Sequence, residues 1–144
     1  MKVYYSCIDI GFVRYVPQAL QHQAINSKAD KLGGKVTFYT SEDFLTLQTH
    51  DAIKSKIKES SNKVNGIIFF TLRQFFNHGQ FNMKFLKEII LAGMEVHFAR
   101  ENFSVTSLAD VEKVFPILYA TQYVTQRDES KDYWKPVYEL MGNL

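Results

Sequence analysis

The sequence predicts one α/β domain built on a small, mostly parallel, doubly wound sheet of four to five strands, with helices on both faces. Four short apolar segments, rich in β-branched and aromatic residues, alternate along the chain with segments of helical periodicity. These strands lack the turn signals of hairpins, so we expect parallel pairing through right-handed crossovers. Four such strands most often take the order 2-1-3-4.

The N-terminal part of the chain predicts a strand, a loop, a helix and a second strand. Residues 2–8 are almost continuously apolar, which is typical of a strand buried on both faces. Residues 9–15 break that run, and Pro17 suits the first turn of the helix that follows. Gly33-Gly34 supplies a left-handed stop, and residues 35–40 form the second strand.

The rest of the chain predicts two more strands and a helical C-terminal region. Residues 67–72 are the most apolar strand, which places it centrally, and Ser107-x-x-Asp110 resembles a capping box. We expect one domain over residues 1–144, with a core of about 1–107. The remaining predicted elements are a helix from Thr49 or His50, a loop over 73–80, a helical stripe from Phe81 to Ile90 ended by Gly93, strand 94–100 and the helical region 107–144.

Composition and charge exclude several classes of protein. Seventeen basic and fifteen acidic residues give a net charge of +2, too small for the basic face that nucleic acid needs. The apolar run 66–70 is far shorter than the roughly 20 residues that span a bilayer, so no membrane insertion is expected. A strand predicted from residue 2 argues against a signal peptide. The single cysteine, Cys7, is predicted to be buried and inert, and a cytoplasmic location is expected.

A ligand crevice is predicted outside the carboxyl ends of strands 1 and 3, where helices leave the sheet in opposite directions. Arg14, Tyr15 and Gln18 surround the predicted helix start, whose N–H groups favour an anion. Arg73 follows the central strand and faces the same crevice. The alternatives are a surface salt bridge for Arg14, a solvated helix position for Gln18 and a structural role for Arg73.

Five further polar residues are candidates for the same crevice. Asp9 follows strand 1 and is a possible general base, although a loop-initiating Asp that bonds its own backbone is the simpler interpretation. Asn77 and His78 lie in the loop after strand 3 and could contact hydroxyls or move protons, but a loop histidine is more often solvated. Arg100 and Glu101 end strand 4 and pair either with each other or with the ligand.

The sequence predicts neither a metal site nor a bound cofactor. The four histidines, at positions 22, 50, 78 and 97, have no helical i, i+3 or i+4 spacing to one another, and His97 is predicted to be a satisfied histidine in a strand. The chain also lacks the glycine-rich motifs that cradle a dinucleotide or a triphosphate.

Three segments resemble the sporadic carbohydrate cluster family, small proteins encoded among surface-polysaccharide genes. They are residues 14–18 (Arg-Tyr-Val-Pro-Gln), residues 66–72 (Gly-Ile-Ile-Phe-Phe-Thr-Leu) and residues 92–101, which contain the His-Phe-Ala-x-Glu element. The resemblance covers roughly residues 3–107. Tyr15 interrupts the family's R-V-P-Q element, and Arg73 stands where an apolar residue is expected. The resemblance implies a role near activated sugars or glycan assembly and brings no established reaction.

A weaker resemblance is to the catalytic domain of serine recombinases, through residues 65–73 and 89–98. It implies a resolvase-like fold, close in layout to a flavodoxin-like one. The recombinases' R-x-S-T nucleophile motif has no counterpart, because residues 6–9 read Ser-Cys-Ile-Asp, and no helix-turn-helix domain follows. DNA strand exchange is therefore not expected.

The leading functional prediction is a cytoplasmic protein of surface-carbohydrate biosynthesis that binds a sugar phosphate, nucleotide sugar or acidic sugar in the crevice. Whether it catalyses a reaction stays open. A rival prediction is a non-enzymatic assembly subunit, a possible homo-oligomer, that docks through the aromatic-rich C-terminal region. A recombinase-related nucleic-acid enzyme is the least favoured class.

Overall fold

The structure is a computed structural model that describes residues 1–42, 51–60, 63–77 and 80–113, together with residues 116 and 120. Its elements are β1 (Lys2–Asp9), α1 (Gln18–Lys31), β2 (Gly34–Glu42), α2 (Asp51–Ser60), β3 (Gly66–Phe69), β4 (Phe76–Asn77), β5 (Gln80–Phe81), α3 (Met83–Leu91), β6 (Glu95–Phe98) and β7 (Phe103–Val105). Short 3-10 turns follow β1 (Ile10–Phe12) and β3 (Leu72–Phe75).

The main sheet has five strands in the order β2-β1-β3-β6-β7. The first four strands pair in parallel, and β7 pairs antiparallel with β6 at the edge. The predicted α/β class, the mostly parallel sheet and the 2-1-3-4 order of its first four strands are therefore confirmed. The antiparallel edge strand β7 has no counterpart among the four strands located in the sequence.

Alternating residues of the strands divide the core between the two faces of the sheet. On one face, Tyr4 and Ile8 of β1 pack with Ile25 of α1 and Ile68 of β3. The other face carries the larger cluster, in which phenylalanine rings dominate; Phe69 lies 4.7 Å from Phe75 between ring centroids. Burying each such side chain contributes about 1.5–3 kcal/mol, so the aromatic residues serve mainly as core.

Glycines end two helices and allow one close contact between strands. Gly33 and Gly93 adopt φ values of +79° and +85° just after α1 and α3, as the predicted stops require. Gly66 opens β3 against β6, where an added Cβ would come within 2.5 Å of the Glu95 carbonyl oxygen. A side chain at position 66 would therefore push the two strands apart.

The predicted loop over residues 73–80 is wrong in part. It contains the end of a 3-10 turn and the hairpin strands β4 and β5, in which Phe76 pairs with Phe81. The two rings pack edge to face with centroids 5.2 Å apart. Strands of two residues are too short to show an alternating pattern in the sequence, so this hairpin was not predicted. His78 and Gly79 lie outside the described residues.

Other predicted boundaries shift by a few residues. The third strand ends at Phe69 rather than at residue 72, because Thr71 caps the 3-10 turn. The fourth spans Glu95–Phe98, since the chain turns at Ala99. At the C-terminal helix start, Asp110 accepts hydrogen bonds from Thr106, one residue before the predicted partner, while its N–H donates to Ser107 Oγ. The predicted helix start at Thr49 or His50 and most of residues 114–144 lie outside the described part of the chain.

Candidate functional site

The carboxyl ends of the parallel strands bring three chain segments to one edge of the sheet. Asp9 is the last residue of β1, residues 71–75 follow β3 and residues 99–101 follow β6. Backbone hydrogen bonds join these segments: Phe70 N–H donates to Cys7 O, and Arg100 N–H donates to Phe70 O. Asp9, Arg73, Arg100 and Glu101, which the sequence predicted as site residues, therefore lie along one edge.

The loop after β1 is held by a glutamine inside α1. Gln21 is fully buried, and its amide pairs with both backbone groups of Asp9: Oε1 accepts from Asp9 N at 2.9 Å, and Nε2 donates to Asp9 O at 3.0 Å. Nε2 also donates to Val16 O at 2.9 Å. One side chain thus fixes both ends of the 9–16 loop against the helix.

The turn after β3 is tied to β1 by a second glutamine. Gln74 forms a capping box with Thr71, whose N–H donates to Gln74 Oε1 at 3.0 Å. The Gln74 amide nitrogen then donates to Cys7 O at 3.0 Å. Cys7 is fully buried, as predicted. Buried glutamine side chains thus hold both the loop after β1 and the turn after β3, which are the two edges of the predicted crevice.

Glu101 supports the same turn from β6. Its Oε1 accepts from Leu72 N at 2.7 Å, and its Oε2 accepts from Thr71 Oγ1 at 3.0 Å. Burial raises the pKa of the Glu101 carboxyl to about 7, opposed by these hydrogen bonds and by the neighbouring Arg100. Both carboxyl oxygens are thus engaged by the protein, and the residue positions the turn.

The centre of this edge is an aromatic ring flanked by cations, which we name the Phe12 cluster: Phe12, Tyr15, Arg14, Arg73 and Arg100. The guanidinium carbons of Arg73 and Arg100 lie 4.7 and 4.5 Å from the Phe12 ring centroid. The Tyr15 ring packs on Phe12 at 5.2 Å, and Arg14 stacks on Tyr15 at 4.8 Å. Each cation–π contact is worth about 0.5–2 kcal/mol, so the rings gather three positive charges.

The two predicted anion-binding arginines belong to this cluster and differ in exposure. Arg73 is 4% exposed and lies against Phe12, whereas Arg14 is exposed and donates from Nη2 to the Tyr15 hydroxyl at 2.8 Å. Phe12 is itself buried and packs against Phe70, so its ring fills the space below the guanidinium groups. The surface open to a ligand is the outer side of the cluster.

The other predicted site residues that the structure describes are not members of the Phe12 cluster. Gln18 is exposed and lines a different cavity of about 160 Å³, between the ends of β1 and β2, with His22 and Tyr39. The Asp9 residue is fully buried. The Asn77 side chain and His78 lie outside the described residues.

Phe12, Gln21 and Gln74 were missed as positioning residues. On α1 the inward face is formed by Gln21, Ile25 and Ala29, whereas the apolar Leu20 is 53% exposed. Their i, i+4, i+8 spacing was a usable signal, since it puts a polar Gln21 on the inward face. Phe12 and Gln74 gave no local signal, because their partners come from other strands.

Within the described ranges, no group of three or more His, Cys, Asp or Glu residues could hold a metal ion. No helix among those residues has the length and apolar character to cross a membrane. Comparison with family models, with curated proteins and with solved structures finds no match to this chain. The family resemblance read from the sequence therefore stays a prediction.

Proposed function

We propose that this protein binds a small anionic carbohydrate, such as a sugar phosphate, a nucleotide sugar or an acidic sugar, on the outer side of the Phe12 cluster. The observation that carries the proposal is the gathering of Arg14, Arg73 and Arg100 on two packed aromatic rings at the carboxyl edge of the sheet. Ligands of doubly wound sheets bind at this edge. A role in surface-carbohydrate biosynthesis is the context that the sequence resemblance implies, and a cytoplasmic location is the one that the single cysteine and the composition favour.

The charge balance of the edge supports an anion. Arginine stays protonated at all physiological pH values, and its planar fork suits the two oxygens of a phosphate or carboxylate. Glu101 offsets this charge only in part, because a pKa of about 7 leaves a substantial fraction of the carboxyl neutral at neutral pH. The edge thus carries three guanidinium groups against two carboxyl groups, Asp9 and Glu101, and Glu101 is charged only in part.

The rings add a surface for the rest of the ligand. Tyr15 is 42% exposed, so it presents part of an aromatic face and a hydroxyl beside Arg14. Such side chains combine apolar contact with hydrogen bonding at low conformational cost. The predicted proton-transfer roles of Asp9 and His78 belong to this proposal.

Thermal-shift measurements with a panel of sugar phosphates, nucleotide sugars and acidic sugars test the proposal. A ligand at 100 times its Kd should stabilise the protein by about 2.7 kcal/mol. Arg14→Ala and Arg100→Lys should weaken the hit at least tenfold, the second because lysine keeps the charge and loses the fork.

Lys31→Ala, which removes one exposed charge from the end of α1, is the matched control and should leave the affinity within twofold. The proposal fails if no compound in the panel raises the melting temperature. It also fails if Lys31→Ala weakens a hit as much as Arg14→Ala does.

A second candidate function, a homo-oligomeric assembly subunit, is favoured by an apolar groove between α3 and residues 108–113. The groove has a volume of about 470 Å³, and its residues Leu91 and Leu108 are 71% and 44% exposed. Exposed apolar patches mark interaction surfaces. Light scattering after size exclusion should then give a dimer mass that Leu91→Glu reduces to the monomer; a monomer at all concentrations for the wild-type chain rejects this candidate.

A further inference from the structure

A second polar cluster lies on the α1 side of the sheet, away from the carboxyl edge. His97 of β6 is the register partner of Ile68, which packs against α1, so the imidazole lies on that face. Ser104 of β7 is the cross-strand partner of His97, and its Oγ lies 2.6 Å from His97 Nδ1. On the other side of the ring, His97 Nε2 lies 2.8 Å from Glu95 Oε1.

The hydrogen bonds define which nitrogen of His97 carries the proton. An ionised Glu95 carboxylate only accepts, so Nε2 must be the donor in that pair. The Tyr4 hydroxyl also donates to Glu95 Oε1, at 3.1 Å. A neutral imidazole protonated at Nε2 leaves Nδ1 as an acceptor, and the Ser104 hydroxyl is the group that donates to it. This is the tautomer that a general base needs toward a serine hydroxyl.

The surroundings keep His97 a neutral base near pH 7. His97 is 1% exposed, and burial lowers the pKa of its imidazole, with Lys2 and Lys28 acting in the same direction. Glu95 opposes the shift through its charge and hydrogen bond. Tyr4 packs edge to face against the imidazole at 5.5 Å, and burial beside Glu95 raises the pKa of its phenol, so it stays neutral.

The nucleophile of the cluster is more exposed than the base. Ser104 is partly exposed on β7, the last strand of the sheet, and Glu95 is 23% exposed in its side chain. Lys28 of α1 reaches over the β6–β7 turn and donates to Asn102 Oδ1 at 2.8 Å. Its positive charge acts on His97, the residue that contacts Ser104.

We propose that Ser104 is a nucleophile activated by His97, with Glu95 as the positioning residue, and that the site takes small carboxylic esters. The geometry meets the general signature of an activated nucleophile: a nucleophile bonded to a base, and a base oriented by a third group. This arrangement departs from the usual triad in using Nδ1 toward the serine and Nε2 toward the carboxylate.

The reaction balances with water as the only co-reactant. Ser104 Oγ attacks the ester carbonyl carbon while its proton passes to His97 Nδ1, and the bond to the alcohol oxygen breaks as Nδ1 returns that proton to the leaving alkoxide. Water then attacks the acyl-serine with the same proton transfers. The products are the carboxylic acid, the alcohol and regenerated Ser104.

Labelling of the full-length chain with a fluorophosphonate probe tests the proposal. Ser104 Oγ should form a bond to phosphorus with loss of fluoride, detected as a mass increase that peptide mapping assigns to Ser104. Ser104→Ala should abolish that adduct, whereas Ser55→Ala, at an exposed serine of α2, should leave the rate unchanged. A wild-type chain that acquires no adduct on Ser104 at pH 8, with its thermal unfolding intact, overturns the proposal.

The positioning role of Glu95 has its own readout. Glu95→Gln should lower the plateau labelling rate about 100-fold or more, because an amide no longer enforces the Nε2–H tautomer. The pH midpoint of labelling, expected below 6.5 in the wild type, should move lower, since Glu95 supports the protonated imidazole. If Glu95 had only a structural role, folded Glu95→Gln protein would keep the wild-type pH midpoint and plateau rate of labelling. That result would contradict the proposal.

Discussion

The carboxyl edge and the His97 cluster (Glu95, His97 and Ser104) both contain buried polar side chains, and these side chains differ in their main hydrogen-bond partners. At the edge, the side-chain amides of Gln21 and Gln74 form hydrogen bonds with backbone groups of neighbouring segments. In the His97 cluster, side chains bond to other side chains across two strands. Polar groups committed to backbone shape a loop, whereas groups that pair with one another can exchange protons. This difference should be visible in the stability and the pH dependence of single variants.

The largest expected loss of stability comes from Glu101→Ala. The substitution leaves the Leu72 N–H and the Thr71 hydroxyl without their acceptor, and we expect the free energy of unfolding to fall by about 3–4 kcal/mol. Urea denaturation measures the change. Glu112→Ala, at an exposed helical glutamate, is the control and should stay within about 0.5 kcal/mol. Equal effects of the two substitutions would show that Glu101 does not support the turn.

The same carboxyl should make stability depend on pH. Its folded pKa is raised to about 7 from 4.5, so the folded state binds more protons between these values. The stability it contributes is complete below pH 4.5 and is lost as the pH rises through 7. The difference in unfolding free energy between wild type and Glu101→Gln should fall by about 3 kcal/mol from pH 4 to pH 8.

His97 titrates in the opposite sense, because its folded pKa is lowered and its contribution is lost as the pH falls below 6.5. That contribution is common to both proteins and cancels in the difference. A difference that does not change with pH, or that grows as the pH rises, would contradict the assignment to Glu101.

A smaller effect is expected from Gln21→Ala, about 2 kcal/mol, because the loop after β1 loses three hydrogen bonds to Asp9 and Val16. Gln18→Ala, one turn earlier on the exposed side of the same helix, is the matched control and should change stability by less than about 0.5 kcal/mol. Chemical denaturation of both variants gives the comparison. If Gln18→Ala lowered stability more than Gln21→Ala, Gln21 would not be the residue that holds the loop after β1.

The smallest change in stability, about 1 kcal/mol, is expected for Ser104→Ala. Ser104 is partly exposed and the substitution removes only one side-chain pair, but it leaves the buried His97 Nδ1 without its donor. Differential scanning fluorimetry of this variant beside Gln21→Ala measures the contrast. If Ser104→Ala lowered the free energy of unfolding as much as Gln21→Ala, Ser104 would support the fold as Gln21 does, and the two regions would not differ in this respect.

Several features of the fold could be predicted from local sequence. The alternation of strands and helices gave the parallel order of the first four strands, and Gly33 and Gly93 marked helix stops by their need for positive φ. The carboxyl-edge location of Asp9, Arg73, Arg100 and Glu101 followed from the same topology. These are consequences of periodicity and backbone conformation, which each segment carries within itself.

The sequence by itself thus determined the layers of this protein and the edge at which its polar segments meet. Only the tertiary structure decided that Gln21 rather than Gln18 clamps the loop, that Phe12 lies below two guanidinium groups, and that Ser104 faces His97. Each of these contacts joins separate elements, and a one-residue change in pairing register would remove it. Side-chain partners across strands depend on register and packing, which no local pattern specifies.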